Sequence, residues 1–196
     1  MRARAGPGHV GTKRAVILAL CATGAPPALA DQPLLLPSHD VDVTYRASGA
    51  RDGSGVEQRV RWLAASRTMR IDPPTPGLHV IIDYVARRMS VVRDATRSVV
   101  EMVAPDSMAG MIAGKPGAFA RHGETTVAGR ACTEWQTQDR DAHPVVVCIT
   151  DDGVLLRASS AAQVRVSAVS VHYAPQDPQE FRIPPDYVRR VPGAAR

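Results

Sequence analysis

The sequence predicts an all-β protein, organised as one antiparallel and strongly curved sheet of about ten strands with one or two short helices. Three observations carry this. From Asp40 onward apolar and polar residues alternate with period two, the mark of strands with one buried face. Turn signals such as Pro73-Pro74-Thr75-Pro76-Gly77 and Ala86-Arg87-Arg88 interrupt the alternation at short intervals. No gap before residue 104 can hold the crossover helix that parallel strands require.

The elements follow in chain order. Residues 1–30 read as a secretory signal peptide. A basic stretch ends at Lys13-Arg14, Ala15 to Ala25 forms a short apolar core, and Pro26-Pro27 breaks it. Ala28-Leu29-Ala30 supplies the small-x-small cleavage pattern, so cleavage is expected after Ala30. The apolar core is shorter than the roughly 20 residues a spanning helix needs, and no later segment is apolar enough to span. Cys21 follows Leu20, where lipoprotein processing needs a small residue, so it belongs to the leader. The expected location is therefore the periplasm.

Residues 31–39, with Pro33 and Pro37, read as an extended lead-in to a single domain over 40–188, followed by a flexible tail at 189–196. In the first strand Val41, Val43 and Tyr45 alternate with Asp42, Thr44 and Arg46. In the second, Val56, Gln58, Val60 and Trp62 alternate with Glu57, Arg59 and Arg61. Further strands are predicted at 68–72, 78–84, 89–93 and 98–103. A short helix follows, capped by Asp106 and running through Met111 or Ala113. Strands resume at 119–122, 125–127, 131–137, 145–150, 154–158 and 164–173. The proline-bearing stretch from 174 onward reads as extended or turn-like.

Composition excludes several classes. At 196 residues, 44% hydrophobic and 22% charged, the chain suits one ordinary domain and is not disordered throughout. The net charge of +5 comes from the leader: Arg2, Arg4, Lys13 and Arg14 meet no acid there, and twenty basic residues face nineteen acidic ones in the remainder. With aromatic residues at 4%, nucleic-acid binding is not expected.

Cys132 and Cys148 are the two cysteines left after cleavage, and an even pair in an exported chain favours a disulfide. A hairpin turn at 138–142, centred on Arg140, sets them equally far from its centre and directly opposite each other.

Short motifs then bring a family into view. Gly123, Gly129, Cys132 and Trp135 match the "G-x-x-x-x-x-G-x-x-C-x-x-[WY]" strand pair of bacterial envelope proteins, and residues 148–156 match their following strand and turn. Phe181-Arg182-Ile183-Pro184-Pro185-Asp186-Tyr187 is similar to their closing "F-x-[VIL]-P-x-x-Y". Arg70-Ile71-Asp72 and Ile81-Ile82-Asp83 fit their strand ends. From Val41 to Tyr187 the chain thus resembles an uncharacterised exported family with the fold of the periplasmic lipoprotein carriers LolA and LppX. The resemblance implies an incomplete antiparallel barrel whose concave face, covered by short helices, forms an apolar cavity for acyl chains. It implies no catalytic residues.

The residues offer no competing chemistry. His39, His79, His122, His143 and His172 are dispersed without metal-ligand spacing, and no nucleophile elbow occurs. Asp151-Asp152-Gly153 reads as a tight turn. Trp62, Met69, Ile71, Val80, Ile82, Tyr84, Met89 and Val91 supply apolar side chains from successive strands, and Met108 and Met111 sit on the predicted helix as a lid. Together they form the candidate site for a lipid, a lipoprotein acyl chain or another apolar ligand. A non-catalytic binding protein without cofactor or metal is expected, with an envelope protein-interaction module as the alternative and an unrecognised hydrolase as a more distant one.

Overall fold

The structure is a computed structural model that describes Met1 and residues 32–48, 55–106, 119–139, 141–161 and 163–190. Residues 2–30 of the leader, the predicted helix beyond its cap Asp106 and the last six residues lie outside them. The sheet belongs to residues 31–196, a unit separate from 1–30.

Twelve strands form the sheet: β1 (Val41–Ala47), β2 (Val56–Leu63), β3 (Thr68–Asp72), β4 (Leu78–Asp83), β5 (Arg88–Arg93), β6 (Ser98–Val103), β7 (Ala120–Val127), β8 (Arg130–Gln138), β9 (Pro144–Ile149), β10 (Leu155–Ser160), β11 (Gln163–His172) and β12 (Val188–Arg190). Their spatial order is β12-β6-β5-β4-β3-β2-β1-β11-β10-β9-β8-β7. Two meanders therefore meet where β1 pairs with β11. One runs from β1 out to β6, and the other returns from β7. All pairings are antiparallel except β12 on β6. The sheet is strongly curved but not closed, an incomplete barrel as expected.

Local chemistry explains the tight connections. The β2–β3 and β5–β6 links are single 3-10 turns, Ala64–Ser66 and Asp94–Thr96, each closed by an arginine in left-handed backbone conformation, Arg67 and Arg97. Such a residue reverses the chain within four positions and leaves the flanking strands in register.

Three expectations change. The segments 119–122 and 125–127 are parts of one strand, β7, which continues across a bulge between Arg121 and Gly123. The β8–β9 hairpin is centred on Asp141, because Gln138 pairs with Pro144 and Glu134 with Cys148. Cys132 consequently lies diagonal to Cys148, and the bridge still forms with Cα atoms 5.5 Å apart. The third change is at the C-terminus: Arg189 and Arg190, assigned to a flexible tail, pair with Val99 and Val100. Prolines conceal this strand, since the chain must first cross the sheet before its last residues find β6. The 174–187 stretch is extended and turn-like as expected, and it forms a strap held by Arg70 donating to the Glu180 carbonyl at 2.6 Å and by the Tyr187 hydroxyl donating to Asp94 at 3.1 Å.

The strap divides the two faces of the sheet. The inner face carries the main core, from Val43, Tyr45 and Trp62 across to Trp135, Val147 and Leu155. On the outer face of β3–β6, the strap buries a second apolar layer that includes Ile81, Val92, Val99 and Phe181.

Candidate functional site

Strand register places every described residue of the predicted ligand site on the inner face. Val41, Trp62, Met69, Ile82, Met89 and Met102 are successive cross-strand partners from β1 to β6. Val43, Val60, Ile71, Val80, Val91 and Val100 form the neighbouring row. Tyr84 follows β4 and leans its ring on Trp62, with centroids 5.6 Å apart. Its hydroxyl donates to Met69 Sδ at 3.9 Å, and burial pushes its pKa above the ordinary phenol range. Met108 and Met111 lie outside the described residues.

Burial is graded along these rows. Trp62 and Met69 are each 2% exposed and Ile82 is sealed, whereas Met89 is half-buried and Met102 is 37% exposed. The second row grades the same way, from buried Val43, Val60 and Ile71 to half-buried Val80, Val91 and Val100. The chemistry is uniform along each row, so the gradient comes from what covers it.

The lead-in is that cover at the β1 end. Leu35 and Leu36 pack against the core. The Ser38 amide donates to the Asp152 carbonyl at 2.9 Å, and Gln32 Nε2 donates to the Phe119 carbonyl at 3.3 Å. Gly153 makes the docking possible. Its φ of +93° is left-handed, and a Cβ there would meet the Leu36 carbonyl oxygen at 2.4 Å. The Asp151-Asp152-Gly153 turn therefore serves the lead-in. Beneath it, among Leu35, Val43, Tyr45, Trp62 and Leu155, remains a cavity of about 20 Å³. That is the scale of a single water, far below the several hundred Å³ of ligand pockets. Tyr45 seals the floor: its buried hydroxyl donates to the Leu155 carbonyl, and burial raises its pKa above the ordinary range. Trp62 Nε1 is buried without a partner among the described residues.

Val100 escaped sequence reading, and Met102 belongs to β6 opposite Met89, not to a helix; both complete the rows, and the alternation of residues 98–103 was the signal that placed them there. The lead-in's role as cover was carried only by the Leu34-Leu35-Leu36 run.

Other candidate chemistry is turn architecture. Asp139, Asp141 and His143 bring ligand atoms within 4.8 Å of one another in the β8–β9 turn. There the Asp139 carboxylate accepts from the His143 and Asp141 amides, which hold it below the usual carboxylate range. A groove of about 260 Å³ lies beside the lead-in, lined by Gln32, Leu34, Arg121, Trp135, Thr150 and Asp151. No helix among the described residues is long and apolar enough to cross a membrane.

No family model and no curated protein matches the sequence. Solved structures do match its fold. An uncharacterised conserved protein from Thermus thermophilus is 15% identical with a TM-score of 0.55, over 79% of this chain and 91% of that one. The Pseudomonas aeruginosa MucA/MucB complex matches at 16% identity and a TM-score of 0.50, over 73% of this chain and 55% of its own. PNGF-II matches at 13% identity and a TM-score of 0.51, over 78% of this chain and 31% of its own. The chain thus spans about half of the matched MucA/MucB chain and under a third of PNGF-II. At these identities the likeness is one of fold.

Proposed function

We propose that this is an exported, non-catalytic binding module that engages a protein partner through the open end of its inner face, around Met89, Val91, Val100 and Met102. The observation that carries this reading is the burial gradient. Where the rows are covered, the interior is packed to a 20 Å³ remnant; where they are open, half-buried apolar side chains lie side by side on β5 and β6. Contiguous, partly exposed apolar surface is the usual signature of an interaction site. The leader pattern and the Cys132–Cys148 bridge support export. The sheet edges support a side-chain surface over strand addition. β12 occupies the first half of β6, and β7 carries a bulge together with exposed Arg121, His122 and Glu124, devices that discourage edge pairing. The MucA/MucB match adds that a chain of this fold occurs in a protein complex.

Half-buried Met89 and exposed Met102 favour a second reading, an acyl chain lying along the same strip. One experiment separates the two. A photo-crosslinking amino acid is placed at Val91 in the native host, with Thr44 on the outer face as control. The protein reading predicts a discrete polypeptide adduct at 91 that disappears when Met89→Asp is added. A lipid-only adduct at 91, or equal adducts at 91 and 44, would contradict it.

A further inference from the structure

The outer face holds a second cleft, on the opposite side of the sheet from the strip described above, and the inference drawn from it is independent of that reading. The strap crosses β3–β5 and leaves about 250 Å³ between itself and the sheet. Register explains the lining. Thr68, Asp83 and Arg88 form one outer row, and Ile81 and Ser90 belong to the next. The strap adds buried Phe181, then Arg182 in extended backbone conformation and Ile183, and Arg189 enters from β12. One wall is thus apolar, made by Ile81, Phe181 and Ile183. The other is cationic.

Charge around the cleft is unbalanced. Three guanidinium groups, Arg88, Arg182 and Arg189, face two carboxylates, Asp83 and Glu101. Glu101 accepts from Arg189 at 2.5 Å and lies 3.9 Å from Arg88. Asp83 is turned to its own chain, one oxygen accepting from the Val85 and Ala86 amides at 3.0 and 2.8 Å. Arg182 has no ion pair among the described residues. Ser90 is 2% exposed and lines the cleft with its hydroxyl-bearing side chain.

We propose that this cleft binds a carboxylate carried on an apolar or aromatic body, with Arg182 and Arg88 holding the carboxylate, Ser90 donating to it, and Phe181 and Ile81 packing its body. The excess of one positive charge matches a monoanion better than a dianionic phosphate, and guanidinium geometry suits a planar carboxylate. Such a group comes from two sources, a small aromatic acid or the C-terminal residue of a peptide.

The test is an NMR titration of the intact mature chain, followed at the backbone amides of Ser90, Phe181 and Arg182. The probes are 3-phenylpropionate, its neutral amide, and acetyl-Ala-Ala-Phe with a free or an amidated C-terminus. The expected result is saturable shifts at these amides with both acids, at least about tenfold weaker binding of both amides, and a similar loss in Arg182→Gln, in line with the strength of charge-assisted hydrogen bonds. Because Arg182 is exposed and has no ion pair among the described residues, that variant keeps the parent's melting temperature. A peptide acid binding tenfold tighter than 3-phenylpropionate assigns the cleft to protein termini, and equal affinities assign it to small acids. Acid and amide binding alike, no saturable shift in the cleft, or unchanged binding in Arg182→Gln would overturn the proposal.

Discussion

Trp62 and Met102 stand in the same cross-strand row, on the same face, yet one is sealed in the core and the other is more than a third exposed. The comparison separates two determinants that are often merged. Alternation decides which face a side chain takes. Whether that face is dry depends on a segment from elsewhere in the chain, here the lead-in over β1, β10 and the Gly153 turn.

The sharpest way to break the comparison is truncation at its two ends. Trp62→Ala should cost about 3–5 kcal/mol in urea unfolding, the range for a buried aromatic, and Met102→Ala under about 1 kcal/mol. Similar costs at both positions would mean that the open end is core as well. Next in size is the bridge on β8 and β9. Cys132→Ala with Cys148→Ala should lose about 3 kcal/mol, from a crosslink closing a separation of 16 residues. Equal melting of this variant and the oxidised parent would leave the disulfide without a stabilising role.

Gly153→Ala probes the cover itself. The left-handed backbone and the approach of the Leu36 carbonyl should make it cost about 1–3 kcal/mol, with the Ser38 amide losing protection from hydrogen exchange. Retained protection at Ser38 would show that the lead-in docks without this turn. The smallest effect belongs to the outer face, where the strap provides the cover. Burial, helped by the charge of Arg70, lowers the His79 pKa below its ordinary 6.5. The folded protein then binds fewer protons than the unfolded chain, so this contribution is complete above pH 6.5 and is lost as pH falls below it. His79→Gln should flatten the stability profile below pH 6.5, and an unchanged slope there would remove His79 as its source.

Much of this architecture was legible in period and turn chemistry. The strands 68–72 and 98–103 agree residue for residue with β3 and β6. What escaped is long-range. The strap looks like a proline-rich tail because its contacts, Glu180 with Arg61 and Arg70 or Tyr187 with Asp94, join residues about ninety or more apart in sequence, a spacing no local pattern encodes. The hairpin register slipped for a smaller reason. Moving a turn centre by one residue, from Arg140 to Asp141, changes the pairing sum by two and turns directly opposed cysteines into diagonal neighbours. In the candidate site, the shared face of Trp62, Met69, Val80 and Met89 was readable, but its division into filled and open halves was not. That division lies in where Leu35 and Leu36 come to rest.

The claim most in need of test is that the β1–β4 rows hold no ligand chamber beneath the lead-in and leave only a surface strip on β5 and β6 for a partner. Native mass spectrometry of the protein purified from its native host, under conditions that preserve lipid complexes, addresses it directly. The account predicts the mass of the disulfide-bonded polypeptide alone, with no stoichiometric lipid after organic extraction. A one-to-one lipid adduct would contradict it and make the protein a carrier.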